Sequence, residues 1–195
     1  VVSEPASLAL FDHAIVYVPK FDLYLDGTAE FSGSMELPAQ DQDIPVLLVN
    51  DPRAPHLGKG HLTRTPVLPA DRSTVTRRLE VQLAASGAAK VKDDMTVTGE
   101  SAARWREHYQ SPGTQKERYE KAWNDTFPGA KAVRVALPGI GELEKPVRLS
   151  GEVEVPGWGK PQGESGAELV LKPLGRDPDL LRSYARLSSR RYDLV

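Results

Sequence analysis

The 195-residue chain contains no cysteine. This absence excludes disulfide scaffolds, cysteine-ligated zinc or iron–sulfur sites, and a thiol nucleophile within these residues. Long apolar runs are also missing, and none approaches the roughly 18 residues that a membrane-spanning helix needs. The chain is instead rich in residues that interrupt regular secondary structure, with 16 glycines and 16 prolines. That composition is unfavourable for a helical bundle and favours a β-rich fold.

Basic residues are scarce in the first quarter of the chain. Residues 1–50 contain a single base, Lys20, against eight acids, whereas the whole chain has a net charge of only −2. Phosphate groups would be repelled by so acidic a segment, so nucleic acid is not a predicted partner. Arginines become frequent near the end, but aspartates alternate with them, which indicates a solvent-exposed face. These arginines are Arg176, Arg182, Arg186, Arg190 and Arg191.

Strand patterns dominate the first 55 residues. Residues 11–18 are rich in β-branched and aromatic side chains, and Leu23–Leu25 follows after a short turn. The two segments predict an antiparallel hairpin. Residues 44–49 form a short continuous apolar run, which predicts a strand buried on both faces. Residues 56–66 are rich in glycine and proline and predict a linker between two domains.

A different pattern follows the linker, over residues 67–195. Alternating apolar residues predict strands at 72–83 and 89–98, although Arg77 interrupts the apolar face of the first. Further strands are predicted at 131–137, 146–155 and 167–172. A Gly-rich turn is predicted at 157–166, with Trp158 exposed on it.

Two short helices interrupt these strands. Aromatic residues and alanines recur at helical spacing and predict helices over 100–110 and 114–125. Thr114 is the predicted N-cap of the second helix, and Glu117 would complete a capping box. The prediction is therefore an α+β, mainly β fold. Residues 67–195 would form an antiparallel β-sandwich or curled sheet with a short two-helix insertion.

Most of the histidines offer little chemistry. His56 and His61 lie five residues apart in a Gly-rich loop and lack a third ligand, which makes them a poor metal pair. His108 falls on a predicted helix and is interpreted as a surface residue. The chain has neither a phosphate-binding loop nor a Gly-x-Ser-x-Gly elbow. No metal site and no cofactor are predicted.

His13 and Asp26 are the candidate catalytic residues. His13 opens the first predicted strand and Asp26 ends its neighbour, so antiparallel pairing can bring both to one edge of the sheet. A carboxylate that holds a histidine in one tautomer is the orienting half of a nucleophile–base–acid triad. Spacing alone favours a surface histidine at the start of a strand over a catalytic one.

The residues around this pair carry a family resemblance. The segments FDHAIVYVP (11–19) and LYLDGTA (23–29) resemble the end of the transglutaminase-like fold. In that superfamily a histidine begins one strand and an aspartate follows on the next, near a Leu-Asp-x-Thr motif. The later Gly33-x-x-x-Leu37-Pro38 pattern and the apolar VLLV (46–49) also fit. Gly27 departs from the family, in which proline commonly follows the aspartate.

The resemblance extends to large bacterial proteins that join a transglutaminase-like core to a β-rich C-terminal domain. It implies that residues 1–55 are the terminal strands of such a core, residues 56–66 a linker, and residues 67–195 the C-terminal domain. His13 would then be the general base and Asp26 its orienting carboxylate in a Cys–His–Asp triad. The cysteine would lie upstream of this chain, which would therefore be inactive alone.

The same resemblance sets the expected function and partners. The parent protein would be a transferase or cysteine protease acting on protein or peptide substrates, without a cofactor. A periplasmic or cell-envelope location is favoured. A missing upstream core domain is an expected partner of these strands. The main alternative is a non-catalytic β-sandwich module that binds other proteins. A homodimer through exposed strand edges is a further possibility.

Overall fold

A computed structural model describes residues 11–49, 53, 60–162 and 168–171. The described chain is mainly β, with two α-helices and antiparallel sheets, which confirms the predicted fold class. Contacts divide the chain into two compact units. The first combines residues 1–76, 95–112 and 137–148, and the second combines residues 77–94, 113–136 and 149–195.

An antiparallel hairpin opens the first unit, as the sequence predicts. Strand β1 (Val16–Val18) pairs with β2 (Leu23–Leu25), with Val16 opposite Leu25. Strand β1 is shorter than the predicted 11–18, so His13 lies three residues before it. Asp22 in the connecting turn has a φ of 52°, a left-handed conformation that aspartate tolerates better than most residues.

A second two-stranded ribbon follows. Strand β3 (Pro45–Val49) pairs antiparallel with β4 (Gly60–Arg64), so the described part of the predicted linker contains a strand. The prediction that residues 44–49 are buried on both faces is wrong. Leu48 is buried, but Val49 is 67% exposed. An apolar run favours a strand, yet it cannot show how many of its faces a neighbouring layer covers.

Four longer strands form the largest sheet. They are β5 (Val75–Leu83), β6 (Ala89–Val97), β7 (Lys131–Ala136) and β8 (Val147–Val155), in the order β5-β6-β8-β7. The predicted alternation is confirmed in the two inner strands, where every second residue of β6 and β8 is buried. Strand β5 is more exposed than its half-apolar pattern predicts, because it lies at the sheet edge.

Both predicted helices are present. Helix α1 spans Gly99–Tyr109 in the first unit, and α2 spans Gln115–Thr126 in the second. The predicted capping box of α2 is wrong. Thr114 makes no side-chain capping hydrogen bond, because it ends a 3-10 turn (Pro112–Thr114) and already has helical backbone angles. An N-cap residue needs an extended backbone to bring its oxygen to the helix N–H groups.

Trp158 is buried, contrary to the prediction of an exposed turn residue. Its ring stacks on Phe127 at 4.7 Å between centroids and lies 6.2 Å from that of Trp123. The predicted turn also contains strand β9 (Gly159–Gln162), which pairs antiparallel with β10 (Glu168–Leu171). Aromatic residues at the end of α2 therefore supply a partner that the local sequence around Trp158 does not show.

A cluster around the buried Asp93 carboxylate explains Arg77 on the otherwise apolar face of β5. Its guanidinium donates two hydrogen bonds to Asp93 on β6, at 2.8 and 2.7 Å. The Tyr119 hydroxyl on α2 donates a third, at 2.8 Å, and the guanidinium lies over the Trp123 ring. Burial and the charge of Asp93 raise the pKa of Tyr119, which keeps the hydroxyl a donor.

A second buried charge fixes the first unit. Arg106 on α1 is 2% exposed and donates to both carboxylate oxygens of Glu36. It also donates to three backbone carbonyls, those of Phe31, Leu143 and Lys145. One side chain thereby connects the segment after the hairpin, the helix and the loop before β8.

Some of the predicted features lie outside the residues that the structure describes. The C-terminal arginines and His56 lie outside the described ranges. No helix in the described ranges is both long and apolar enough to cross a membrane.

Apolar side chains are exposed on the two edge strands of the large sheet, with Val75 at 54% and Val133 at 51%. Dimerisation through such an edge stays a prediction.

Candidate functional site

The two predicted site residues lie together at the end of the hairpin. His13 precedes β1 and Asp26 follows β2 directly, so pairing of the two strands brings both side chains to the same end of the ribbon. The His13 Nε2 atom is 3.2 Å from Asp26 Oδ1. The Asp26 side chain is 1% exposed and that of His13 is 34% exposed. A buried carboxylate thus contacts a histidine that solvent can still reach.

The nitrogen that faces Asp26 is Nε2, whereas the triad analogy predicts Nδ1. Either nitrogen can donate to a carboxylate, and the contact then fixes which one carries the proton. With the proton on Nε2, the lone pair of the neutral ring lies on Nδ1. In that tautomer Nδ1 is the ring nitrogen that can accept a proton, while Nε2 makes the contact with Asp26.

The residues immediately after Asp26 hold its carboxylate in place. Thr28 donates twice to Asp26 Oδ1, from its backbone N–H at 2.8 Å and from its hydroxyl at 2.7 Å. Burial alone would raise the pKa of Asp26, but the Thr28 hydrogen bonds and the contact with His13 outweigh it and lower that pKa. The Leu-Asp-x-Thr pattern thus has a physical role, since its threonine keeps the aspartate charged and oriented.

A third group, Asp41, completes the site and was not predicted. It ends a 3-10 turn (Ala39–Asp41) whose N–H at Asp41 donates to the Pro38 carbonyl. Asp41 is 3% exposed, and one of its carboxylate oxygens lies within 4.8 Å of one from Asp26. Burial, followed by the charge of Asp26, raises the pKa of Asp41. The two carboxyl groups therefore have pKa values shifted in opposite directions.

The three side chains have the composition of a small cation site. One donor atom from each of His13, Asp26 and Asp41 lies within 4.8 Å of the other two. However, Asp26 Oδ1 already accepts from Thr28, and His13 Nε2 faces that oxygen as a donor. A metal ion would need the same lone pairs that these hydrogen bonds already occupy. The three side chains therefore suit a hydrogen-bonded network better than a metal site.

The remaining described histidines occupy other elements. His61 is part of β4, and His108 is exposed on α1 with its ring at 4.6 Å from that of Tyr109. No sequence signal distinguished Asp41 from Asp43, two residues later, whose side chain is 61% exposed and contacts Arg64. Both lie in a polar QDQD stretch, and only the fold determines which one is buried beside Asp26.

Comparison with known proteins adds no family assignment. No protein-family model matches the chain, and neither curated proteins nor solved structures give a significant match. The function of the chain is therefore inferred from the geometry of its site and from the resemblance of its local sequence.

Proposed function

We propose that this chain supplies the base and the orienting carboxylate of a transglutaminase-like enzyme, which transfers or hydrolyses the acyl group of an amide. The single observation that supports this most strongly is the contact between the accessible His13 ring and the buried Asp26 carboxylate. A histidine at a strand start with only a surface role would not need a buried anion held by two further donors. The nucleophilic cysteine would come from a segment outside these 195 residues.

In this mechanism His13 moves protons through Nδ1. The ring removes the thiol proton, and the resulting imidazolium is stabilised by the adjacent Asp26 charge. The thiolate attacks the amide carbonyl carbon, and the Nδ1 proton passes to the leaving amine as the C–N bond breaks. Water or a second amine then gives its proton to Nδ1 as it attacks the acyl-enzyme, which releases the cysteine.

Alkylation of the longer protein tests this role directly. In the wild type, iodoacetamide should rapidly label one upstream cysteine at pH 6. His13→Ala should slow that labelling at least about tenfold, because an unassisted thiol with a pKa of about 8.5 is less than about 1% ionised there. Mass spectrometry after timed quenching would give the rate constant.

A matched control is available on the same chain. His108→Ala removes an exposed imidazole from α1 and should leave the labelling rate within about twofold of the wild type. If no cysteine reacts rapidly, or if His13→Ala has no more effect than the control, the enzymatic proposal is wrong. The alternative, a β module that binds other proteins, would then be preferred.

A further inference from the structure

We infer that Asp41 and Asp26 share one proton, which Asp41 carries and donates to the Asp26 carboxylate. Asp41 is thus a positioning residue for the orienting carboxylate, and the site is a chain of three groups running from Asp41 through Asp26 to His13. The shared proton itself is independent of the proposed function. Only its consequence for catalysis rests on that proposal.

Two buried carboxyls lie close together at this site. One carboxylate oxygen of Asp41 lies within 4.8 Å of one from Asp26, yet an ionised carboxylate has no hydrogen to donate. The Oδ2 atoms of both Asp26 and Asp41 are buried and have no donor among the described residues. A proton on Asp41 turns this contact into a hydrogen bond. Without it, two like charges would lie together out of water, which is strongly unfavourable.

The surroundings of the two carboxyls indicate that Asp41, not Asp26, carries the proton. Asp26 accepts from Thr28 twice and faces His13, so its environment favours the charged form. Asp41 faces the charges of Asp26 and His13, and its burial and the Asp26 charge disfavour ionisation more than His13 favours it. Environments that differ in this way separate the roles of two neighbouring carboxyls, one remaining an anion and the other an acid.

The proton on Asp41 also bears on His13. Asp26 Oδ1 faces Nε2 and accepts from Thr28, so the buried Oδ2, which has no other donor among the described residues, is the atom left for a proton from Asp41. Ionisation of Asp41 would place a second negative charge beside Asp26. The Asp41 carboxylate would then compete with Asp26 as an acceptor for the His13 N–H. Asp41 therefore fixes the orientation of Asp26, and through it the tautomer of His13.

Carbon-13 NMR of the aspartate carboxyls in the 195-residue chain tests the shared proton. We expect Asp41 to titrate above the ordinary value of an aspartate carboxyl, because burial and the Asp26 charge disfavour its ionisation. In Asp26→Asn, which removes the neighbouring charge, that midpoint should fall. Asp43 is an internal control, because its contact with Arg64 lowers its pKa. A wild-type Asp41 midpoint at or below the ordinary aspartate value would overturn the inference.

Two substitutions separate positioning from folding. Asp41→Asn keeps the shape and replaces the acid O–H by an amide N–H, so the Nε2-protonated tautomer of His13 should persist in nitrogen-15 spectra. Asp41→Ala removes the donor and should reduce the share of that tautomer at least about twofold. Equal loss in both variants would contradict the inference. So would stoichiometric Mn²⁺ binding at the site, measured by broadening of the Asp41 signal in chelator-treated wild type.

The catalytic consequence fails separately from the proton. If alkylation of the longer protein does not depend on His13, the proposed function is wrong while the Asp41 titration stands. If alkylation depends on His13 but Asp41 titrates normally, the triad role survives and the shared proton does not.

Discussion

Replacing Arg106 by methionine should lower the free energy of unfolding by about 3–5 kcal/mol, the range found when one partner of a buried ion pair is removed. Methionine keeps much of the aliphatic volume, so the loss reports mainly on the guanidinium. The variant leaves the Glu36 carboxylate, whose side chain is 13% exposed, without its cation. It also removes the donors to the carbonyls of Phe31, Leu143 and Lys145.

Urea denaturation followed by circular dichroism measures this effect. Arg104→Met, on the same helix, is the matched control, because the Arg104 side chain is 79% exposed and its pairing with Glu100 is screened by water. The control should cost less than about 0.5 kcal/mol. A loss below about 1 kcal/mol for Arg106→Met would show that solvent or another group replaces the guanidinium.

A double variant identifies the source of the loss. Combining Arg106→Met with Glu36→Gln removes the uncompensated charge that the single variant leaves behind. The double variant should therefore be at least about 1 kcal/mol more stable than the sum of the two single changes indicates. Additive losses would mean that the backbone carbonyls, rather than Glu36, determine the contribution of Arg106.

Asp93→Asn should have the next largest effect, a loss of about 2–3 kcal/mol, since hydrogen bonds to charged groups contribute about 1.5–3 kcal/mol. Asp93 is fully buried and accepts from Arg77 and from the Tyr119 hydroxyl. An asparagine amide would turn N–H groups toward these donors. The expected loss stays moderate because the Arg77 side chain is 37% exposed, so water solvates the freed guanidinium.

The neighbouring residue provides the control for this prediction. Asp94→Asn changes an exposed carboxylate on the opposite face of β6 and should alter stability by less than about 0.5 kcal/mol. Thermal or urea unfolding of both variants decides the matter. If Asp93→Asn unfolds within about 1 kcal/mol of the wild type, the cluster does not hold α2 against the sheet in the way the hydrogen bonds indicate.

The sequence predicted those parts of the fold that depend on local pattern. The sequence correctly predicted which alternate residues of β8 face the core. Gly151 is one of them, and it lies under the Tyr119 ring, where a side chain would collide. Arg77 and Trp158 could not be placed, because their partners lie on other elements. Asp93 is 16 residues from Arg77 along the chain, and Phe127 is further still from Trp158.

The candidate site divides in the same way. The contact between His13 and Asp26 was predictable, since a hairpin brings strand ends together and the Leu-Asp-x-Thr pattern marks the aspartate. Asp41 was not, because its burial depends on how the 3-10 turn after Leu37 returns to the end of the hairpin. The triad analogy predicted that Nδ1 would face Asp26 and was wrong, since the choice of nitrogen depends on the rotation of one ring.

The arrangement of the site has a consequence for how it assembles. His13, Asp26 and Asp41 follow one another with fewer than 15 intervening residues at each step. Closing loops this short requires little chain entropy, and the Thr28 contacts are more local again. Contacts of low sequence separation generally form earlier in folding than contacts between distant parts of the chain. The site formed by His13, Asp26 and Asp41 can thus be in place before β8, which follows both helices in the chain, pairs with β6.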